Sequence, residues 1–438
     1  MTMITAKDIH GFFSSFFRSY ADVFFIRSSL GGMAILALTF LNFNSGISGV
    51  LAVLSAYLTA ILLGYQSHFL RHGFYTYNAL LVGLSIGFLF ELSPLSLLMI
   101  SIAGALTLVI SLVTADVLYK LFGLQVLSIP FIVVSSLVYL SSASFSNLYV
   151  DALYVTPQFY DFNLFPYWLS GYFKSMGAII FLPNELTGLL LSLLLLLYSR
   201  ILFLLSLAGF LLGVSLYGLF IGSLEHAAQD ISSFNYILIA MALGGIFNIP
   251  SIKSYTIALL GVAIATLIAS AGQVFWSQYG LPIFTLPFTL ITLSFIYLLG
   301  LIKYPLRTEA FFGSPEENLD YFISNKGRFI RDEIAISPPF QGTWHCWQGF
   351  DDNWTHQGIY KYAYDFLIFD SSQKSYQNQG VLLSDYYCYG KEVTSPVNGR
   401  VIQVVNLLPD NSIGSVDSVN YWGNYVLIHD SRGFYVKI

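Results

Sequence analysis

The chain has 438 residues, of which 56% are hydrophobic, 17% aromatic and only 10% charged, with a mean hydropathy of +0.69 and a formal net charge of −5. Soluble domains carry about 25% charged residues, so this composition excludes a water-covered globule over the whole length. So small and thinly spread a charge points to no nucleic-acid partner.

The N-terminus, MTMITAKDIHGFFSSFFRSYADVFF, is aromatic and broken by charge. It lacks the smooth apolar core of a cleavable signal peptide, so the first span is expected to direct insertion. From Leu30 to about Leu301 long apolar runs alternate with short polar turns, as in Gly46 to Leu63, Ser96 to Val113, Leu189 to Leu207 and Ile257 to Ala271. A crossing helix needs about 20 apolar residues and must satisfy its own backbone hydrogen bonds. About ten spans are expected on that basis.

Two halves of this region repeat. SSLGG at Ser28 to Gly32 matches NELTG at Asn184 to Gly188, 156 residues apart. TYN ending at Asn78 matches SFN ending at Asn235, and LSIPF at Leu127 to Phe131 matches FTLPF at Phe284 to Phe288, each 157 apart. With about five spans per half, the second half is expected to be inverted, with a solute site between the halves. Lys7, Arg18 and Arg27 precede or open the first span, and Lys303 and Arg307 follow the last. The connection Asn147 to Ser170 carries Asp151 and Asp161 and no Lys or Arg. The positive-inside rule then places both termini inside and this connection outside.

Each half carries a Pro-containing interruption with a hydroxyl just before it: Ser128 before Pro130, and Thr285 before Pro287. Such a break survives in a membrane only inside protein or beside a water-filled cavity. Hydroxyls and freed carbonyls can replace the water a polar solute loses; a packed kink with a self-bonded hydroxyl is the alternative. Phe24, Phe25, Tyr75, Tyr77, Phe181, Phe234 and Phe284 recur beside the motifs and could form flat walls for a planar molecule. Asp22 lies close before the first LGG and either faces the solute path or caps a helix. Asp116 is expected at a helix end, and Glu225, His226 and Asp230 in a solvated turn. No Walker loop is present to bind ATP.

The segments ADVFFIRSSLGG (Ala21 to Gly32), GFYTYNALLVGL (Gly73 to Leu84), LQVLSIPF (Leu124 to Phe131), MGAIIFLPNELTG (Met176 to Gly188) and GLPIFTLPFTLIT (Gly280 to Thr292) resemble the urea transporter family over about residues 12–303. The last is close to that family's Leu-Pro-x-x-Thr-x-Pro-Phe motif. The resemblance implies an all-α polytopic membrane protein of two inverted repeats (about 12–146 and 165–303) with re-entrant half-helices. It also implies a homotrimer with a pore in each subunit, passive passage of urea and no cofactor. It places the oxygen acceptors near Ser128 and Thr285, and the walls at Phe25, Tyr77, Leu81, Ile179 and Leu238. Two departures stand out: the family usually has Gln or Glu where this chain has Asp22 and Ala178, and Leu-Pro and Thr where it has Leu124-Gln125 and Ser128. Another small amide, amine or ammonium-like solute is the alternative cargo. The expected location is a bacterial inner membrane.

After Tyr304 charges cluster, and a linker is expected over 304–336, followed by a small β domain from 337 to 438. Gly399 to Val405 and Tyr425 to Ile428 read as strands, and the closing GFYVKI as a strand cut short. Cys346 and Cys388 are expected to stay free thiols. WTHQGIYKYAYDF, DYYCYGKEVTSPVNGRV and WGNYVLIHD resemble the lysostaphin-type zinc metallopeptidases, here incomplete or degenerate. That resemblance implies His356 and Asp365 as zinc ligands. The family's later His-x-His is absent, and His429 stands in a strand pattern. A catalytic zinc takes about three protein ligands and an open position, so the chain as given is expected not to be an enzyme. A zinc peptidase completed beyond residue 438 is the remaining alternative. With both termini inside, a cell-wall peptidase would face no cell wall, so either the tail has another role or the topology is reversed.

Overall fold

A computed structural model describes residues 6–64, 75–148, 150, 164–308, 312–327, 336–352, 354–415, 417, 422–430 and 433–438. The acidic connection with Asp151 and Asp161 lies outside them. The chain divides into Met1–Phe322 and Ile323–Ile438.

The first unit is helical. In its first half run α1 (Ala6–Ala21), a 3-10 turn (Asp22–Phe24), α2 (Ser29–Thr39), α3 (Phe43–Leu62), α4 (Tyr77–Leu89), α5 (Pro94–Phe122) and α6 (Ile129–Ser142). The second half repeats the order with α7 (Tyr167–Ala178), α8 (Glu185–Tyr198) and α9 (Arg200–Ile221), then a short α10 (Leu224–Gln229). It continues with α11 (Phe234–Met241), a π-turn (Ala242–Ile246), α12 (Ile252–Ser277) and α13 (Leu286–Leu301).

Among the described residues four helices, α3, α5, α9 and α12, are long and apolar enough to cross a membrane, or five counting the pair around the 78° bend between Phe24 and Ser29. The other apolar helices, such as α4, α6 and α13, have 13 to 16 residues. At about 1.5 Å per residue these cover only about two thirds to four fifths of a hydrocarbon core of roughly 30 Å. The apolar runs therefore do not all correspond to full spans.

Local chemistry explains the breaks. Ser28 and Asn184, equivalent in the repeat, each cap a helix by accepting from the backbone N–H three residues on, Gly31 and Thr187. Pro130 and Pro287 sit in the first turns of α6 and α13. They open new helices rather than kink continuous ones, because a first-turn N–H has no helical partner to lose. Two glycines let the hairpins close. A Cβ on Gly32 would lie 1.9 Å from the Phe17 carbonyl oxygen, and one on Gly188 would lie 1.8 Å from that of Phe173. The same hairpins carry matched polar pairs: Ser14 with Ser29 at 2.9 Å, and the Ser170 hydroxyl donating to Glu185 Oε1 at 2.5 Å.

The stretch after α13 departs from a free linker. It forms α14 (Pro315–Tyr321), whose Glu316 takes hydrogen bonds from the start of α9. Of the other charged residues, Asp116 pairs with Lys120 at 3.0 Å near the end of α5. Glu225 and His226 are exposed on α10. Asp230 is engaged rather than simply solvated, accepting from Ser232 N–H at 2.9 Å and from Gln273 Nε2 at 3.0 Å.

The second unit is a small β structure. β1 (His345–Gln348) pairs antiparallel with β2 (Asp365–Leu367). β3 (Gly399–Val405), β4 (Tyr425–Asp430) and β5 (Tyr435–Lys437) form a second antiparallel sheet in the order β3-β4-β5. The strands at 399, 425 and 435 fall where the sequence places them. Cys346 and Cys388 are both free thiols.

Candidate solute passage

Four breaks frame a cavity of about 170 Å³ inside the first unit. At each break stands a non-glycine residue with left-handed backbone: Phe25 at φ 59°, Phe181 at 61°, Leu127 at 44° and Phe284 at 49°. All four line the cavity. Such a conformation costs about 1–3 kcal/mol per residue unless its surroundings enforce it.

At Leu127 and Phe284 two asparagines do the enforcing. Asn78 Nδ2 donates to Leu127 O at 3.0 Å, while its Oδ1 accepts from Phe131 N–H at 3.3 Å. Asn235 does the same 157 residues later, with Phe284 O at 3.0 Å and Phe288 N–H at 3.1 Å. Both asparagines are fully buried. Each amide thus closes the left-handed turn on one side and supplies the first turn of the next helix on the other.

The lining is paired. Asp22 and Ala178, Val23 and Ile179, and Phe25 and Phe181 stand 156 apart; Tyr77 and Phe234, Leu81 and Leu238, Leu127 and Phe284, Ser128 and Thr285, and Phe131 and Phe288 stand 157 apart, and every one of them faces the cavity. Ring contacts cross between the halves in the same paired way. Phe131 meets Phe181 at 6.0 Å and 74°, and Phe25 meets Phe288 at 6.3 Å and 61°. Exchanging the halves turns one contact into the other, which is the mark of a local two-fold axis.

All eight residues singled out from the sequence, Asp22, Phe25, Tyr77, Leu81, Ser128, Ile179, Leu238 and Thr285, are brought to this one cavity. Phe24 and Tyr75 are not. Phe24 is buried in the core and Tyr75 packs against it, because neighbours on a tight turn point to different sides. The sequence reading passed over Phe131 and Phe288, although they stand in the quoted IPF and LPF motifs. It also passed over Phe88 and Tyr139, which no repeat partner flags.

Polar atoms are few and placed. Ser128 and Thr285 occupy the N-cap positions of α6 and α13, but neither side chain caps its helix. Thr285 Oγ1 is buried without a hydrogen-bond partner among the described residues. The Tyr77 hydroxyl donates to Leu127 O. The cap position of the 3-10 turn falls on Ala21, so Asp22 is not its N-cap. Arg18 and Arg27 lie close enough to act electrostatically on the Asp22 carboxyl. Flat apolar rings with hydroxyl and carboxyl oxygens between them suit a small planar solute rich in N–H donors.

In the second unit His356 Nε2 lies 3.3 Å from Asp365 Oδ2, and its Nδ1 is 2.8 Å from Gly349 O. His429 stacks on Tyr435 at 4.7 Å across the β4–β5 pair. Among the described residues no group of three His, Cys, Asp or Glu side chains could hold a metal. The pair does not by itself make a catalytic zinc centre.

Two like halves of broken apolar helices around an aromatic-walled cavity define an integral membrane transport protein. The chain belongs to the urea transporter family: its sequence matches the model of that family, described as "Urea transporter", over residues 13–300. It is 26% identical over 340 residues to Urea transporter 1 of Ovis aries, covering 72% of this chain and 85% of that protein. It is 27% identical over 330 residues to Urea transporter 1 of Rattus norvegicus, covering 72% and 84%. Membership makes the matched region, residues 13–300, a transporter.

Proposed function

We propose that the first unit conducts urea passively across a membrane through the cavity between its halves. The observation that carries this is the paired lining: two pairs of phenylalanines, Phe25 with Phe288 and Phe131 with Phe181, share one cavity with Ser128 and Thr285. Urea is flat and donates four N–H bonds, so ring faces can enclose it while hydroxyl and carbonyl oxygens replace its water. In this reading the short apolar helices combine end to end, giving about ten crossings in two inverted repeats. The crossed Phe contacts favour a two-fold relation, and an odd number of crossings per half would lay that axis in the membrane plane. The homotrimer, the lipid setting and the bacterial inner membrane are part of the same proposal; the relatives named above are mammalian and support the integral membrane part of it.

Stopped-flow light scattering on proteoliposomes tests the reading. Urea permeability well above that of empty liposomes is expected, without dependence on ATP or an ion gradient. Equal permeability in both would end it.

Asp22 favours a second reading, in which a small ammonium-like solute is carried as well. The second half offers only Ala178 at the matching place. A carboxylate in a narrow low-dielectric passage attracts a cation more strongly than it would in water, although Arg18 and Arg27 offset part of that charge. We read the second unit as a peptidase-like β unit in which His356 and Asp365 match two zinc ligands of that family and do not by themselves make a catalytic centre. Zinc-dependent cleavage of a glycine-rich peptide by the purified chain would contradict that reading.

A further inference from the structure

The segment after α13 folds back onto the second half. Ile249 N–H donates to Leu306 O at 2.7 Å, and Thr308 N–H to Phe247 O at 3.0 Å. Further along, Glu316 of α14 accepts from the Ser199 hydroxyl at 2.7 Å and from Ile201 N–H at 2.8 Å. A carboxylate there suits the partial positive charge of the α9 N-terminus. Just before α14, Gly313 adopts φ +145°, where a Cβ would fall 2.4 Å from Glu317 Oε2. Its carbonyl receives the Tyr198 hydroxyl at 2.5 Å.

That hydroxyl has a second bond. Arg27 N–H donates to it at 2.9 Å, reaching from the first half to the second. Arg27 stands two residues after Phe25, the left-handed residue in the cavity wall. The tie breaks the symmetry of the repeat. Asn42 caps α3 as Ser199 caps α9, so the first-half residue matching Tyr198 is Leu41, which has no hydroxyl. Among the described residues only one of the two matched breaks is therefore clamped this way, and the same hydroxyl that clamps it is bonded to Gly313 at the start of the docked segment.

We propose that Tyr198, held in place by this docked strap, is a positioning residue for the passage: it fixes the Phe25–Arg27 break and with it the width of the slot at Phe25. The effect on solutes rests on the cavity being the solute path. The effect on the break does not.

Two variants of the full chain test this. Tyr198→Phe removes the shared hydroxyl, and Glu316→Ala releases the strap away from the cavity, which keeps the test open if the first variant fails to fold. Stopped-flow gives permeabilities for urea and the wider N,N′-dimethylurea, and hydrogen exchange follows peptides covering residues 20–32. In both variants the dimethylurea-to-urea ratio should rise about fivefold, the size of one net hydrogen bond, and exchange around Arg27 should quicken. Unchanged exchange overturns the proposal. So does faster exchange with both permeabilities lowered in proportion or unchanged, since a merely structural tie would not alter discrimination. If the wild-type chain passes no urea while exchange still quickens in the variants, the tie stands and the channel reading falls instead.

Discussion

Asn78 and Asn235 hold equivalent turns, but not with equal support. The carbonyl held by Asn78, Leu127 O, also receives the Tyr77 hydroxyl, whereas Phe234 stands at the matching place beside Asn235 and has no hydroxyl to give. Asn235→Ala should therefore cost more than Asn78→Ala. A buried carbonyl and N–H left bare cost about 1–3 kcal/mol each, and only the second half loses every side-chain donor to its carbonyl. Thermal unfolding in detergent checks the order; equal losses, or the reverse, would show that the turns are held by packing instead.

Asp22→Asn keeps the shape of the side chain and removes its charge. Permeation of methylammonium relative to urea should fall by about fivefold or more, since an ion pair across a low-dielectric slot loses its attraction. Unchanged permeation of both solutes would leave Asp22 without a part in selecting what passes.

Gly32→Ala and Gly188→Ala push a methyl group into a backbone carbonyl at under 2 Å. Backbone cannot rotate away as a side chain can, so the loss should reach or exceed the upper end of about 1–3 kcal/mol. Fluorescence-detected size exclusion should show little monodisperse protein for either variant. Normal yield for either would mean that its hairpin can reopen without cost.

The second unit should be acid-labile. Asp385 accepts from Asn378 Nδ2 at 3.0 Å and from the Val381 and Leu382 N–H groups, each at 3.1 Å. These donors hold its carboxyl below the usual range. Asp370 is held low in the same way by the Lys374 and Ser372 N–H groups, at 2.9 Å and 2.7 Å. A carboxyl with a depressed folded pKa contributes stability that is fully present above its unfolded value, about 3.9. That contribution is lost as pH falls through the folded value. Tryptophan fluorescence should report loosening of this unit below about pH 4, and Asp385→Asn should weaken it at neutral pH and flatten the acid response. An acid response identical to wild type would exclude Asp385 as its source.

The residues that gather at the cavity were legible as motifs. Asp22, Ser128, Thr285 and the wall residues stand in short polar or aromatic words that recur at a fixed offset, and such words survive in apolar text. Asn78 and Asn235 were visible as the ends of TYN and SFN, but their task was not, since a bond from a side chain to a carbonyl about 50 residues away has no local pattern. The span count was less legible. An apolar run gives the length of greasy text and says nothing of where a left-handed Phe25 or Leu127 will fold it. Residues 304–336 read as a linker because charge usually means water; that Glu316 among them accepts from the α9 N-terminus had no local pattern to show it.

The cavity lining is unequal at two matched places: the first half offers Asp22 and Tyr77 where the second offers Ala178 and Phe234. A passive passage cannot turn that difference into net direction, because equal concentrations on both faces must give zero flow. A blocker too large to cross is under no such restraint. To it the Asp22 place and the Ala178 place are different surfaces, one suited to a cationic head and one to a plain ring, so a compound that holds to one need have no hold on the other.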